Sequence, residues 1–233
     1  MIPVLDLLHG QVVRAVRGQR DAYRPIQSPL VAGSAPRDVA TALLACCAPP
    51  PGQDAVLYVA DLDAIQAGAA QANAIADLLS LRPDLQLWLD AGFTGPASLP
   101  SLRAALGPAG ARVRPVYGSE SLANASALDE LAGDPEAILS LDCRLARPLD
   151  PSGSWHRPHA WPGTVIVMTL DRVGTGSGPD LDTFSRLRAM APDRVWIGAG
   201  GVRDASDLHA GAEAGAAGWL VATALHDGSL QIA

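Results

Sequence analysis

Eight short apolar runs, each ending in a polar turn and followed by a stretch of helical spacing, constrain this chain more than any other feature. They lie at 2–6, 55–61, 85–89, 112–116, 137–142, 164–170, 194–198 and 218–222. Gly, Pro or Asp bounds each run, and most are apolar at consecutive positions, as parallel strands covered on both faces are. Segments of helical period stand between them at 36–47, 71–81, 96–106, 124–132, 181–191 and 205–214. Pro36 and Pro96 sit near helix starts, where a missing N–H costs little. This alternation, carried over 233 residues, predicts a single α/β domain spanning 1–233, a (β/α)8 barrel.

Two stretches depart from the pattern. Between the fifth and sixth runs lies ARPLDPSGSWHRPHAWPG, whose four prolines and broken period predict a degraded fifth helix. After the eighth run only HDGSLQIA remains, so the eighth helix is expected to be truncated. Thin cover there, with Trp155 and Trp161 taken as exposed, predicts a homo-oligomer.

Composition removes several chemistries. Acidic residues outnumber basic ones by 24 to 17, a net charge of −7, which argues against a nucleic-acid partner. All 17 basic residues are arginine. Without lysine there can be no Schiff-base aldolase chemistry, pyridoxal-phosphate lysine or Walker A motif. Anion recognition must then rest on arginine, backbone amides and helix N-termini. The three cysteines make no disulfide framework, and no CxxC or HxxxH spacing suggests a metal, so neither metal nor cofactor is expected. Adjacent Cys46 and Cys47 read as small apolar helix residues. The opening MIPVLDLL carries no signal-peptide pattern, and uncharged stretches such as 214–226 fall short of the roughly 20 residues a spanning helix needs. A cytoplasmic protein with no membrane partner is expected.

The two halves of the chain resemble each other. IPVLDLL (2–8) matches ILSLDCR (138–144), DLDAIQAG (61–68) matches TLDRVGTG (169–176), LDAGFTG (89–95) matches IGAGGVR (197–203), and GSESL (118–122) matches ATALH (222–226). Four βα units followed by four similar ones is a half-barrel duplication. Strands one and five stand opposite each other in such a barrel, so Asp6 and Asp142 are expected across its C-terminal mouth, where active sites of this fold lie. Asp6 shares a face with Ile2 and Val4, as Asp142 does with Ile138 and Ser140. A lone strand-end Asp most often caps a loop; a symmetric pair in one mouth points to acid–base work.

HGQVVRAVRGQR, alternating apolar with polar or Arg, reads as a β-ribbon over that mouth, with Arg17 and Arg20 as substrate-binding candidates. Gly200 and Gly201 after strand seven, ahead of a helix near Asp204, offer unhindered amides to a phosphate; Ala222 and Thr223 after strand eight would close the same site.

As a set, IPVLDL, VVRAVRG, SLDCR, TLDRVGTG, GAGGVRDASDL and ATAL resemble the phosphosugar barrel isomerases of histidine biosynthesis, HisA, and their relatives HisF, over essentially the whole chain. The resemblance implies an Amadori rearrangement of an aminoaldose to an aminoketose. Asp6 and Asp142 would be the general base and general acid, with Thr169 assisting by hydrogen bonding. It also implies a second phosphate site after strand three, where that family carries a Gly-Gly-Gly loop. Here Asp90-Ala91-Gly92-Phe93 stands instead: a carboxylate beside a phosphate repels, and Phe93 is expected to take up room. Val173 replaces the Asp of an Asp-Gly-Thr stretch, while Gly174 and Thr175 remain as phosphate-binding candidates. Asp61, Asp63 and Asp171 at strand ends two and six, with Ser119, are candidates for binding polar or amino groups of the substrate.

These departures imply a paralogue acting on a small phosphorylated metabolite, similar to HisA/HisF-related proteins of methanogens and methylotrophs and thus near methanopterin or methanofuran biosynthesis. The alternatives are a histidine-pathway isomerase and a catalytically silent barrel serving as a binding or assembly subunit.

Overall fold

The computed structural model describes residues 1–17, 19, 22–49 and 52–230. Among them β1 (Ile2–Leu8), β2 (Gln11–Arg14), β3 (Arg24–Pro25), α1 (Pro36–Cys46), β4 (Ala55–Asp61), α2 (Leu62–Ala67), α3 (Ala72–Leu79) and β5 (Leu85–Asp90) follow in order. Then come α4 (Leu99–Leu106), β6 (Val113–Gly118), α5 (Ala125–Leu131), β7 (Ile138–Arg144), β8 (Arg147–Pro148) and β9 (Thr164–Thr169). The chain continues through α6 (Leu181–Arg188), β10 (Val195–Ala199), α7 (Ala205–Glu213), β11 (Gly218–Val221) and α8 (Thr223–His226). Strands β1, β4, β5, β6, β7, β9, β10 and β11 pair in parallel, and β11 returns to β1 through Ile2↔Leu220 and Pro3↔Val221. The fold is a closed (β/α)8 barrel, as the alternation predicts.

Closure sorts side chains by parity. Tyr58, Trp88, Val116, Ile138, Ile166, Ile197 and Leu220 fill the interior, while Leu57, Leu87, Leu139, Val165 and Trp196 face the helices. At the N-terminal end, Arg114 lies over the Trp88 ring at 5.4 Å and donates to the carbonyls of Pro135 and Glu136, closing the bottom of the barrel.

The fifth helix is replaced by two single-turn 3₁₀ segments, Ser154–His156 and Pro158–Ala160, and α8 has four residues. The tryptophans of this stretch are not exposed. Trp155 and Trp161 are buried, and Trp161 packs edge-on against Trp196 with 5.6 Å between ring centroids. They cover the strand face that a helix would cover elsewhere, so the argument from exposed tryptophans to a second subunit lapses. α2 was not in the helical-period reading, although Asp61 as N-cap and Gly68 at φ +75 bracket it. None of the described helices is long and apolar enough to cross a membrane.

The half-barrel repeat is visible in the backbone. β1 turns into β2, and β7 into β8, through two-residue hairpins at matching positions, three and four residues past Asp6 and Asp142. Both central residues of each have positive φ: His9 (50°) and Gly10 (73°), Leu145 (50°) and Ala146 (56°). Matching carboxylates clamp these turns: the His9 N–H donates to Asp63 at 2.9 Å and the Leu145 N–H to Asp171 at 2.8 Å.

A large apolar residue at positive φ is costly, and Leu145, 75% exposed, packs little in return. Asn-Gly is the preferred pair for such a turn. Leu145→Asn with Ala146→Gly should therefore raise the unfolding free energy by about 1–2 kcal/mol, read from urea denaturation midpoints at unchanged slope.

Candidate active site

A cavity of about 340 Å³ opens at the C-terminal end of the barrel under the ribbon. Asp6 from β1, Tyr58 from β4, Asp90 from β5, Glu120 after β6 and Asp142 from β7 line one side of it. Gly174, Gly200, Gly201, Ala222, Thr223 and His226 line the other, with Arg14 and Arg144 also in the wall. The carboxyl groups and the glycines expected to bind phosphate therefore share one cavity.

Asp142 is 6% exposed and tightly held. Ser140 Oγ donates to its Oδ1 at 2.6 Å, and the Glu120 N–H reaches Oδ2 at 3.4 Å. Burial, then the Glu120 and Asp90 carboxylates, push its carboxyl well above the usual range, against the lowering effect of the Ser140 bond. Asp6 stands across the mouth, in partial contact with the open cavity, and burial alone raises it to about 7. Both carboxyls thus hold a proton to higher pH than an ordinary aspartate, and Asp6 is close to half ionised near neutral pH.

Between them, Tyr58 donates its hydroxyl to Asp90 Oδ2 at 3.4 Å. Burial, then Asp90, Asp142 and Asp6, keep that phenol protonated far above its ordinary range. Gly118 makes room where the acids approach: a Cβ there would lie 3.0 Å from Asp142 Oδ2 and 3.9 Å from Asp90 Oδ2.

Several expected site residues lie elsewhere. Thr169 pairs with Cys143, not Asp142, and so points to the helix layer, where its hydroxyl donates to Asp180 at 3.3 Å. Met168 occupies the inward position opposite Asp142. Asp61, the counterpart of Thr169 in the first half, is likewise outward and fully buried, and accepts from the Ala64 and Gln71 amides. Asp63 and Asp171 are occupied in clamping the hairpins. Ser119 is buried behind the site: it accepts the Asp142 N–H at 2.9 Å and so positions that residue without reaching the cavity. Thr175 bonds Arg172 O and Ser177 and does not line the cavity.

Arg17 is exposed outside the cavity wall, its N–H bonded to Val173 O, and Arg20 lies outside the described residues. Arg14, three positions earlier in the same motif, is the ribbon arginine that enters the wall. Phe93 takes no room from the cavity, since it is buried outside the barrel against Tyr117, 5.7 Å between centroids.

Of the phosphate candidates, Gly174, Gly200, Gly201, Ala222 and Thr223 line the cavity. Gly200 and Gly201 have φ of +90° and +86°; a Cβ on Gly200 would come 2.9 Å from Thr169 O, and one on Gly201 would collide with Gly178 O. Glycine is required twice for space and for backbone angle. Gly174 is bound in the same way, because a Cβ there would strike Ala15 O where the ribbon docks. Tyr58, Glu120, Arg14, Arg144 and His226 escaped the sequence reading. Strand parity could have found Tyr58, two positions before inward Ala60, whereas His226 has only its spacing of three from Thr223 as a signal.

Comparison with known proteins agrees with this geometry. The family model described as "Histidine biosynthesis protein" matches residues 159–231. A 5-phosphoribosyl imidazole-4-carboxamide isomerase of Xylella fastidiosa is 30% identical over 200 residues, covering 76% of this chain and 71% of the relative. The chain belongs to the HisA/HisF family. The isomerase of the same name from Halobacterium salinarum is 29% identical over 245 residues, all of this chain and 94% of its own. An uncharacterized protein of Methanocaldococcus jannaschii is 25% identical over 236 residues, again all of this chain and 95% of its own.

A carboxyl held at about 7 makes the folded state bind a proton that the unfolded state releases above about 4. Asp6 therefore costs stability progressively as pH rises from about 4 through 7, and the full cost remains above that. Asp6→Asn should leave stability nearly unchanged at about pH 4 and raise it by about 2–4 kcal/mol at about pH 8, read from urea unfolding at both values.

Proposed function

We propose that this HisA/HisF-family barrel is an isomerase that carries out an Amadori-type aldose-to-ketose rearrangement on a small metabolite bearing one phosphate. The observation that carries the reading is the pair of inward carboxyls on β1 and β7, raised to different extents within one cavity. Asp142 gives its proton to the ring oxygen, the C1–O bond opens to an iminium, and ionised Asp6 removes the C2 proton. Asp6 then returns its proton to C1 of the enol as the enol hydroxyl gives its own to Asp142, which yields the ketose and restores both carboxyls. Asp6 and Asp142 divide the acid and base roles because Glu120 and Asp90 add to burial at Asp142, whereas burial acts alone at Asp6.

Phosphate belongs on the loops of Gly200, Gly201, Ala222 and Thr223, with Gly174 beside them. The opposite loop suits a different group. At an effective dielectric of ~20, the Asp90 carboxylate and a phosphate charge ~4 Å apart would repel by ~4 kcal/mol. The departures at Asp90 and Val173 favour a paralogue outside histidine synthesis, for which one-carbon carrier (methanopterin or methanofuran) synthesis is the candidate pathway. The names of the other relatives favour a second reading, the histidine-pathway isomerase itself.

Complementation of a histidine auxotroph lacking its isomerase separates these readings, and failure is expected. On phosphorylated aminoaldoses the purified protein should show turnover that Asp6→Asn and Asp142→Asn each lower by ~10²–10⁴-fold. The double variant should be scarcely slower than either single one. Full activity in Asp142→Asn would overturn the mechanism, and no turnover on any phosphorylated aldose would leave a binding barrel.

A further inference from the structure

His226 ends α8, three residues past Thr223, so the two share a face of that turn and both line the cavity. The residue is only 7% exposed. Its Nδ1 lies 3.1 Å from Ser28 Oγ, and that hydroxyl also lies 3.4 Å from the main-chain oxygen of His226. Ser28 Oγ accepts from the Leu30 N–H at 3.2 Å, which leaves its single hydrogen free to choose between the two His226 acceptors. Directed at Nδ1, that hydrogen fixes the neutral tautomer with the ring proton on Nε2. Turned to the main-chain oxygen, it lets Ser28 accept from a protonated Nδ1. The ring is thus provided for in both charge states without any movement of the backbone. Among the described residues nothing bonds to Nε2, and the residue lines the cavity.

We propose that His226 is an anion-binding residue that takes one proton from solvent as a phosphate-class dianion settles on the loops of Gly200, Gly201 and Thr223, donating Nε2–H to it. This rests on the phosphate placement proposed above. Burial and then Arg14 on β2 hold the imidazole down at about 4, against a smaller raising effect of the adjacent Asp227. The Ser28 partner is uncharged. An opposite charge within about 4–6 Å moves a group by about 1–3 pH units, so a dianion would bring His226 into the range where it binds a proton. Linkage requires the reverse: the protonated ring must tighten the dianion by the same factor. Substrate capture at this end of the barrel would then strengthen as pH falls.

Sulfate is the probe, because it stays a dianion throughout the range. Full-length protein labelled with [15N]histidine is titrated from about pH 4.5 to 8.5 with and without saturating sulfate, the His226 signals being assigned by their loss in His226→Gln. Without sulfate the ring should stay neutral down to about pH 5; with sulfate its midpoint should rise by about one pH unit or more. By calorimetry, His226→Gln should bind sulfate about threefold more weakly than wild type near pH 4.5 for a shift of about one unit, and equally above pH 8. Asp6, which titrates in the same cavity, alters sulfate affinity in both proteins alike and leaves the imidazole signals unaffected. Sulfate that binds wild type without moving the His226 midpoint overturns the proposal and leaves the phosphate site standing. Sulfate that does not bind wild type at millimolar concentration overturns both. Should His226→Gln fail to fold, the wild-type midpoint alone decides.

Discussion

Closure of the parallel sheet, made by the pairing of β11 with β1, is the constraint on which the rest of the structure depends. A closed sheet has no edge, so every strand has an inside and an outside, and each residue's side is settled by its parity. Ile2, Val4 and Asp6 fall inside together, as do Ile138, Ser140 and Asp142, because alternate residues cannot do otherwise. The same rule carries Thr169 and Asp61 outward to the helices, one residue away from the inward positions of Met168 and Ala60. A shift of one position along a strand separates a group that can touch substrate from one that caps a helix.

The second organising element is the doubled hairpin. After β1 and after β7 the chain reverses in two residues at positive φ, and in each half a carboxylate from the neighbouring strand's loop takes the turn's first amide. Asp63 and Asp171 are occupied in this way, which explains their presence at the mouth without any ligand. The halves have diverged above that shared frame. The first half sends a ribbon over the cavity and docks it on Gly174 and Val173. The second half uses the equivalent space for a tryptophan-filled loop that replaces a helix.

The cavity is polarised across its width. Four carboxyl groups, Asp6, Asp90, Glu120 and Asp142, come from β1 and from the ends of β5, β6 and β7, whereas the glycine-bearing loops with Thr223 and His226 follow β9, β10 and β11. Burial drives the shifts at Asp6, Asp142 and Tyr58 before any charge does. At the two carboxyls such shifts oppose folding at neutral pH and favour proton transfer, the usual relation between a site's stability and its chemistry.

The sequence by itself determined the barrel, the duplication, the opposed Asp6 and Asp142, and the glycine-built loop after the seventh barrel strand. Those features are local: apolar period, strand-end polarity, and positions where no side chain fits. It also marked Asp90 as a departure. Only the tertiary structure decided which strand-end groups reach the cavity, because parity along a strand assigns a side only once one of its residues is placed, and closure turned Thr169 and Asp61 outward and Tyr58 inward. Only packing decided that Trp155, Trp161 and Phe93 are interior, since a broken helical period says nothing of what covers the strand behind it. His226 and Arg14 needed both halves of the chain to meet, Ser28 and the ribbon on one side and α8 on the other, across nearly 200 residues of sequence. No local pattern encodes that meeting; it follows from closing the barrel.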